Sequence, residues 1–332
     1  MSKAPIRFSG IAAGILVAGV VLAGCSTTPS TPTEPVDSGP VAADIVIGTG
    51  GQLSNADIFL GIAQGLFDDQ SLTATVQTLT AGSDAIPLLL KGDLNFATVD
   101  MGTAINATQQ NIGITTVAPN TVGVPGKIGY AGIIAGGDSG IDTPADLEGK
   151  KVQVNQLGGT AEVLTRASIV KDGGDPDKVQ FVEIAPPEAI PALQAGQVDA
   201  IVVGEPLTTI ALGMGFKYVF NPEETTVPGL PTFVFVTSTA YAQQNPKVVE
   251  EFQTAILAAN AAANADPDAV RKTAETSTTV DPALLAQVKG LPVFGEDAIT
   301  GAQVQEFIDF LVKYGSLDAA ATPKGDAVVW AP

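Results

Sequence analysis

The sequence predicts an α/β protein of two lobes, each folded around a largely parallel sheet, joined by two crossings and enclosing a cleft. Three observations lead there. Short β-branched runs alternate with segments of helical period, the pattern of strand-helix-strand units. The alternation pauses near residue 130 and then restarts, so the unit is built twice. About 290 residues follow a leader and a linker, with a hydrophobic content of 45% over the whole chain, enough to bury two packed lobes.

Lys3 and Arg7 open the chain without an acid, and Ile11 to Ala23 follow without a charged side chain, the layout of a secretory signal. These 13 residues make a helix of roughly 20 Å at about 1.5 Å each, short of the ~30 Å that a spanning helix must cross. The run closes on Leu22-Ala23-Gly24-Cys25, which resembles the bacterial lipobox, where a diacylglycerol is attached to the cysteine sulfur before cleavage. Cys25 is the only cysteine, so no internal disulfide and no paired-thiol metal site can form. Two acyl chains hold a protein at a membrane stably where one binds only reversibly. Residues 1–24 are thus expected to be a lipoprotein signal peptide, and residues 25–42, rich in Pro, Ser and Thr, a tether.

The elements of the mature chain follow in order. Asp44 to Gly48 is a β-branched strand, and Asn55 to Leu66 places Ile58, Phe59, Ile62 and Leu66 on one helical face, with Ser54 or Asn55 to cap it and Gly65 to end it. A strand over Leu72 to Leu79 leads through Gly82-Ser83 into a helix reaching Leu90, with Ser83 as its cap. Asn95 to Val99 is a strand, Asp100-Met101-Gly102-Thr103 turns into a helix through Gln110, and Ile114 to Val117 is the next strand. Tyr130 to Ile134 is an apolar stretch suited to cross between lobes. Asp142-Thr143-Pro144-Ala145-Asp146 is a helix start, with Thr143 as cap, Pro144 at the first position and Asp146 reaching back. Lys151 to Asn155, Val179 to Ile184 and Val198 to Val203 are strands; Ala161 to Lys171 and Pro187 to Ala195 are helices, and Glu205-Pro206 begins another. Phe233 to Thr237 is expected to be the return crossing, followed by alanine-rich helices after Asn245. This gives a first lobe over 43–132, a second over 133–232 and a return to the first over 233–332.

Composition narrows the chemistry. There is no histidine, which removes Ser-His-Asp triads, Cys-His dyads and HExxH zinc sites together. Gly126-Lys127 and Gly149-Lys150 lack the glycine spacing and the Ser or Thr of a phosphate loop, and Gly137-Asp138-Ser139-Gly140 lacks the final glycine of a nucleophile elbow. No cofactor motif and no catalytic constellation stands out, so binding is expected rather than catalysis. All 35 acids lie beyond residue 24 and two of the 16 bases lie before it, leaving 21 net negative charges on the mature chain. Nucleic acid and anionic lipid surfaces are poor partners for such a surface.

In an open parallel sheet, ligands sit beyond the carboxyl ends of the strands, against helix N-termini. Here those places are Thr49 to Asn55, Gly82 to Asp84 and Asp100 to Thr103 in the first lobe, and Gln156 to Ala161, Pro186 to Glu188 and Gly204-Glu205 in the second. Gly158-Gly159-Thr160 either presents backbone and hydroxyl donors to a ligand or is a plain turn needing positive φ. Asp100 and Glu205 either meet an amine or N–H donor or only cap their helices. Tyr130 and Phe59 could stack on a ligand, with a core position the other reading for Phe59. No lysine or arginine falls in these turns, so an anion would lean on backbone dipoles, and a zwitterion or a neutral heterocycle stays equally open.

Several stretches together resemble a known family: Gly65-Leu66-Phe67, Lys91-Gly92-Asp93-Leu94-Asn95-Phe96, Asp138-Ser139-Gly140-Ile141 with Pro144-Ala145-Asp146-Leu147-Glu148-Gly149-Lys150, Gly158-Gly159-Thr160, Ala192 to Ala200, and Glu205-Pro206. Over nearly all of residues 43 to 320 the chain is similar to the nitrate/sulfonate/taurine family of ABC-transporter substrate-binding proteins. The resemblance implies a type II periplasmic-binding-protein fold, closing like a hinged trap on a sulfonate, nitrate, taurine or a related nitrogen or sulfur compound. It implies a monomer, lipid-anchored outside the cytoplasm, that delivers its solute to a permease driven by an ATPase. The family's binding loops map onto Ser54, Asn55, Asp100, Thr103, Gly158, Gly159, Thr160 and Glu205. Two other roles share this fold: a ligand-sensing lipoprotein, and a binder of a heterocyclic vitamin precursor such as a thiamine pyrimidine or a flavin precursor.

Overall fold

The computed structural model describes residues 41–79, 84–124, 130–278, 280–314 and 317–332. The signal region, Cys25, nearly all of the tether, the Gly82-Ser83 turn and Lys127 lie outside the described residues.

Twelve strands and thirteen helices are described, beside short 3₁₀ turns. The strands are β1 (Ala43–Gly50), β2 (Leu72–Leu79), β3 (Phe96–Asp100), β4 (Ile114–Pro119), β5 (Thr121–Val122), β6 (Ala131–Ala135), β7 (Lys151–Val154), β8 (Gln180–Glu183), β9 (Ala200–Gly204), β10 (Lys217–Phe220), β11 (Phe233–Ser238) and β12 (Val293–Phe294). The helices run from α1 (Ala56–Ala63), α2 (Ala85–Lys91) and α3 (Met101–Gln109) through α4 (Thr160–Lys171), α5 (Pro186–Gln194), α6 (Leu207–Gly213) and α7 (Pro222–Thr226). They finish with α8 (Thr239–Gln244), α9 (Pro246–Ala265), α10 (Pro267–Ser277), α11 (Pro282–Leu285), α12 (Gly301–Lys313) and α13 (Gly325–Val328).

Two five-stranded sheets carry the two lobes, in the orders β2-β1-β3-β11-β4 and β8-β7-β9-β6-β10. They share one topology. In each, three neighbouring strands run parallel, and one strand, β11 or β6, lies antiparallel between its neighbours. Both odd strands are the first element after the chain changes lobe. The apolar runs Tyr130 to Ile134 and Phe233 to Thr237, expected from sequence to be crossings, are therefore largely inserted strands. Hydrophobicity alone does not distinguish a crossing from a buried strand, and the backbone of a crossing is better hydrogen-bonded inside a sheet. The segments that connect the lobes lie just before them and are joined to each other, with Thr232 N donating to Thr121 O at 3.0 Å and Gly229 N to Gly123 O at 3.1 Å.

The central strands of each sheet are buried on both faces, which is why β3, β11, β6 and β9 read as continuous apolar runs rather than alternations. Along β3, Phe96 points to the side of α9, where its ring stacks on Phe252 with centroids 3.7 Å apart, while Ala97 and Val99 point to the side of α12. On β11, Phe235 goes with Phe96 and Val234 and Val236 go with Val99. The second sheet divides Ile133, Val152 and Ala200 from Ile134, Ile201 and Val203 in the same way. One apolar seam joins the lobes: Val163 and Leu164 of α4 share a core with Phe307 and Leu311 of α12.

Candidate functional site

The carboxyl ends of β1, β3, β7, β8 and β9 converge on a cleft of about 940 Å³ between the two sheets. Gly50, Gln52 and Asn55 follow β1; Asp100, Gly102 and Thr103 follow β3; Asn155 to Thr160 follow β7; Pro186 follows β8; Glu205 and Pro206 follow β9. Parallel strands deliver their next residues to one edge, and helices α3 and α4 begin there with their N-termini toward the space.

Asp100 takes the capping role that its sequence position allows and makes one contact beyond it. It N-caps α3, accepting from Thr103 N at 3.2 Å, and its Oδ1 also accepts from Thr160 Oγ1 at 2.9 Å, across the cleft from the first lobe to the second. Burial holds its carboxyl above the usual range, against the hydrogen bonds from Thr160, Thr103 and Gly102. Gly102 makes this approach possible, since a Cβ there would lie 2.8 Å from Thr160 Oγ1 and 2.9 Å from Asp100 Oδ1.

The Gly158-Gly159-Thr160 loop lines the cleft, and three of its donors are engaged by the protein itself. Gly158, at φ 71°, gives its N–H to Glu162 at 2.9 Å, Gly159 gives its N–H to Gln156 O at 3.2 Å, and Thr160 gives its hydroxyl to Asp100. The left-handed conformation at Gly158 shows that the turn reading holds at least for that glycine.

Glu205 is buried and multiply held. Its carboxylate accepts from Thr209 N at 3.0 Å, from Thr209 Oγ1 at 2.9 Å and from Gly290 N at 3.0 Å. Gly290 belongs to the C-terminal part of the first lobe, beside Val288 and Leu291 of a core that also holds Leu53 and Leu60. Glu205 thus ties the start of α6 to the other lobe. The same turn contains a cis peptide bond between Glu205 and Pro206.

Ser54 and Asn55 are both buried, and neither caps α1 through its side chain. Asn55 lines the cleft, and its amide donates to Gly50 O at 3.0 Å, pinning the β1 turn instead. Ser54 sits one layer back, hydrogen-bonded to Tyr130, whose phenol is pushed up to about 12 by burial and by the charges of Glu205 and Glu223. Tyr130 lines the cleft, while Ile58 and Leu60, either side of Phe59, are core residues.

Sequence reasoning missed the wall supplied by the return segment. Asn221 caps α7 through a bond from Glu223 N at 2.9 Å, and this puts Glu223, Glu224 and, further on, Thr232 against the cleft. Burial pushes the Glu223 carboxyl up to about 7, opposed by Thr232 and reinforced by the charges of Asp100 and Glu224. The signal was present as Asn221-Pro222-Glu223-Glu224, a helix start with cap, proline and acids in order. Among the described residues, no group of three or more Asp, Glu, Cys or His is placed to hold a metal, and no helix is long and apolar enough to cross a membrane.

Residues 53–270 match the protein family described as NMT1/THI5 like. A stretch of 153 residues is 31% identical to the taurine-binding periplasmic protein of Escherichia coli (strain K12), covering 46% of each chain, so this chain spans about half the length of that curated relative. Among solved structures, the alkanesulfonate-binding protein SsuA of Xanthomonas axonopodis pv. citri bound to MOPS superimposes with a TM-score of 0.66 at 20% identity, over 87% of this chain and 98% of that one. The periplasmic aliphatic sulphonate binding protein SsuA of Escherichia coli does so with a TM-score of 0.69 at 18% identity, over the same shares. The fold is that of the periplasmic binding proteins.

Proposed function

Because the chain belongs to the NMT1/THI5-like family, we propose that it is an extracytoplasmic solute-binding protein that closes on a small molecule and delivers it to an ABC import permease. The observation that carries this reading is the cleft itself: two lobes of one topology meet around a space of about 940 Å³, with the carboxyl ends of both sheets turned toward it. A space of that size is in the range of small-molecule sites, about 300–1,000 Å³, and contacts that reach across it, such as Thr160 to Asp100, suit a hinged closure. The solute is a taurine, sulfonate or nitrate or a related nitrogen or sulfur compound, the class to which the taurine- and sulfonate-binding relatives point. A diacylglycerol on Cys25 and the tether after it hold a monomer near its permease; this part rests on the sequence alone.

A thermal-shift panel of sulfonates, taurine, nitrate, pyrimidines and flavin precursors tests the reading, because a bound solute stabilises in proportion to ln(1 + [L]/Kd). A rise in melting temperature with a subset of the panel, and no turnover of that solute, is the expected result. Turnover would make the protein an enzyme and end the proposal.

A further inference from the structure

The charge of the cleft narrows the class of solute. Among the described residues that line it are four carboxylates, Asp100, Glu205, Glu223 and Glu224, and no lysine or arginine. Glu205 is held by Thr209 and Gly290, and Glu224 accepts from Asn221 Nδ2 at 3.2 Å. Asp100 and Glu223 reach the same space from different directions, one from the end of β3 and one from α7 on the return segment. Both are half-buried, and the charge of Asp100 acts on Glu223. Two anions in a desolvated wall repel each other, and a cation placed beside them removes that cost.

We propose that the solute carries a cationic nitrogen, such as a protonated amine, and that Asp100 and Glu223 are the residues that select it. This inference rests on the solute-binding reading above. Burial is the main reason that both acids resist ionising, and at Glu223 the charge of Asp100 adds to it; a bound ammonium would offset both. Thr160, Thr103 and the backbone of Gly102 hold the Asp100 carboxyl at the edge of the cleft, so it is fixed in position before the solute arrives. Amine-free sulfonates and nitrate gain nothing from this wall. An amino-sulfonate enters with its amine toward the acids.

The test compares amine-bearing probes (taurine, putrescine and a 4-aminopyrimidine) with amine-free anions (ethanesulfonate, nitrate and butyrate), by calorimetry on the mature chain at pH 8. Binding confined to amine-bearing probes is expected. The double variant Asp100→Asn, Glu223→Gln should weaken that binding more than about thirtyfold and raise the melting temperature of the ligand-free protein, because a repulsion is gone. Binding of ethanesulfonate or nitrate as tight as that of any amine, including binding lost on Lys127→Ala, overturns this inference and leaves the solute-binding reading intact. A double variant no more stable than the parent also overturns it. No binding by either class, with the double variant stabilised, overturns the solute-binding reading and this inference with it.

Discussion

Thr160 Oγ1 donates to Asp100 Oδ1 at 2.9 Å, a bond that runs from the first turn of a helix in one lobe to the cap of a helix in the other. It makes Asp100 three things at once: the end of a strand, the cap of α3 and a contact between lobes. The bond exists only because Gly102 leaves room for it.

Thr160→Val keeps the shape of the side chain and removes the donor. A hydrogen bond contributes about 0.5–1.5 kcal/mol net, so the closed arrangement should become less populated by roughly two- to tenfold. Small-angle scattering of the ligand-free protein should show a larger radius of gyration. Gly102→Ala should act in the same direction by forcing Thr160 and Asp100 apart, since the added Cβ would lie under 3 Å from both side chains. An unchanged scattering curve for both variants would mean that the bond does not bias closure.

Glu205→Gln should affect stability and closure rather than choice of solute. The carboxylate satisfies three donors, and an amide leaves at least one of them facing an N–H group. A loss of about 1–3 kcal/mol in urea unfolding is expected, with the ratio of affinities between amine-bearing and amine-free probes unchanged. A shift in that ratio would instead place Glu205 in contact with solute.

How legible the molecule was in its sequence depended on whether a residue's role was local. Asp100 as the cap of α3, Thr143-Pro144 with Asp146 reaching back, and the strands from Leu72 and Lys151 follow from neighbours within a few positions, and the structure shows each of them. Ser54, Glu205 and Thr160 take partners between 60 and 85 residues away, Tyr130, Gly290 and Asp100, and no local pattern encodes those. β6 and β11 were misread for a related reason: insertion antiparallel into a finished set of parallel strands is a property of the whole sheet. The Glu223 wall was legible as a helix start, but nothing in the sequence placed that helix beside a cleft whose other walls come from the ends of β1, β3 and β7.

Cys25→Ser should leave the protein without its lipid, either released from the membrane or kept as uncleaved precursor. The proposed lipid on Cys25 and the Pro-rich segment after it would hold the binding domain near a membrane. Membrane fractionation with a precursor-sensitive blot reads both outcomes. Normal retention of the mature variant would remove the anchor from the proposal.

Burial of Asp57 makes stability fall as pH rises from about 4 to about 7. Asp57 lies fully buried in α1, and Asn120 Nδ2 donates to its Oδ2 at 3.1 Å. Burial raises the carboxyl from 3.8 to about 7, beyond what the hydrogen bonds from Asn120 and the backbone take back. The folded chain therefore holds a proton that the unfolded chain releases near pH 4. Its contribution is fully present below about pH 4, falls as pH rises toward 7 and is flat above, amounting to about 3–4 kcal/mol over the whole range. Asp57→Asn keeps the acceptor for Asn120 and removes the titrating proton. The variant should be more stable than the parent at pH 8, equal to it near pH 4, and with a shallower decline between them, because Glu223 titrates in the same interval. Urea denaturation at pH 4, 6 and 8 measures this directly. A parent profile that rises with pH across the same interval would show that Asp57 is ionised in the fold, stabilised by its hydrogen bonds against the cost of burial.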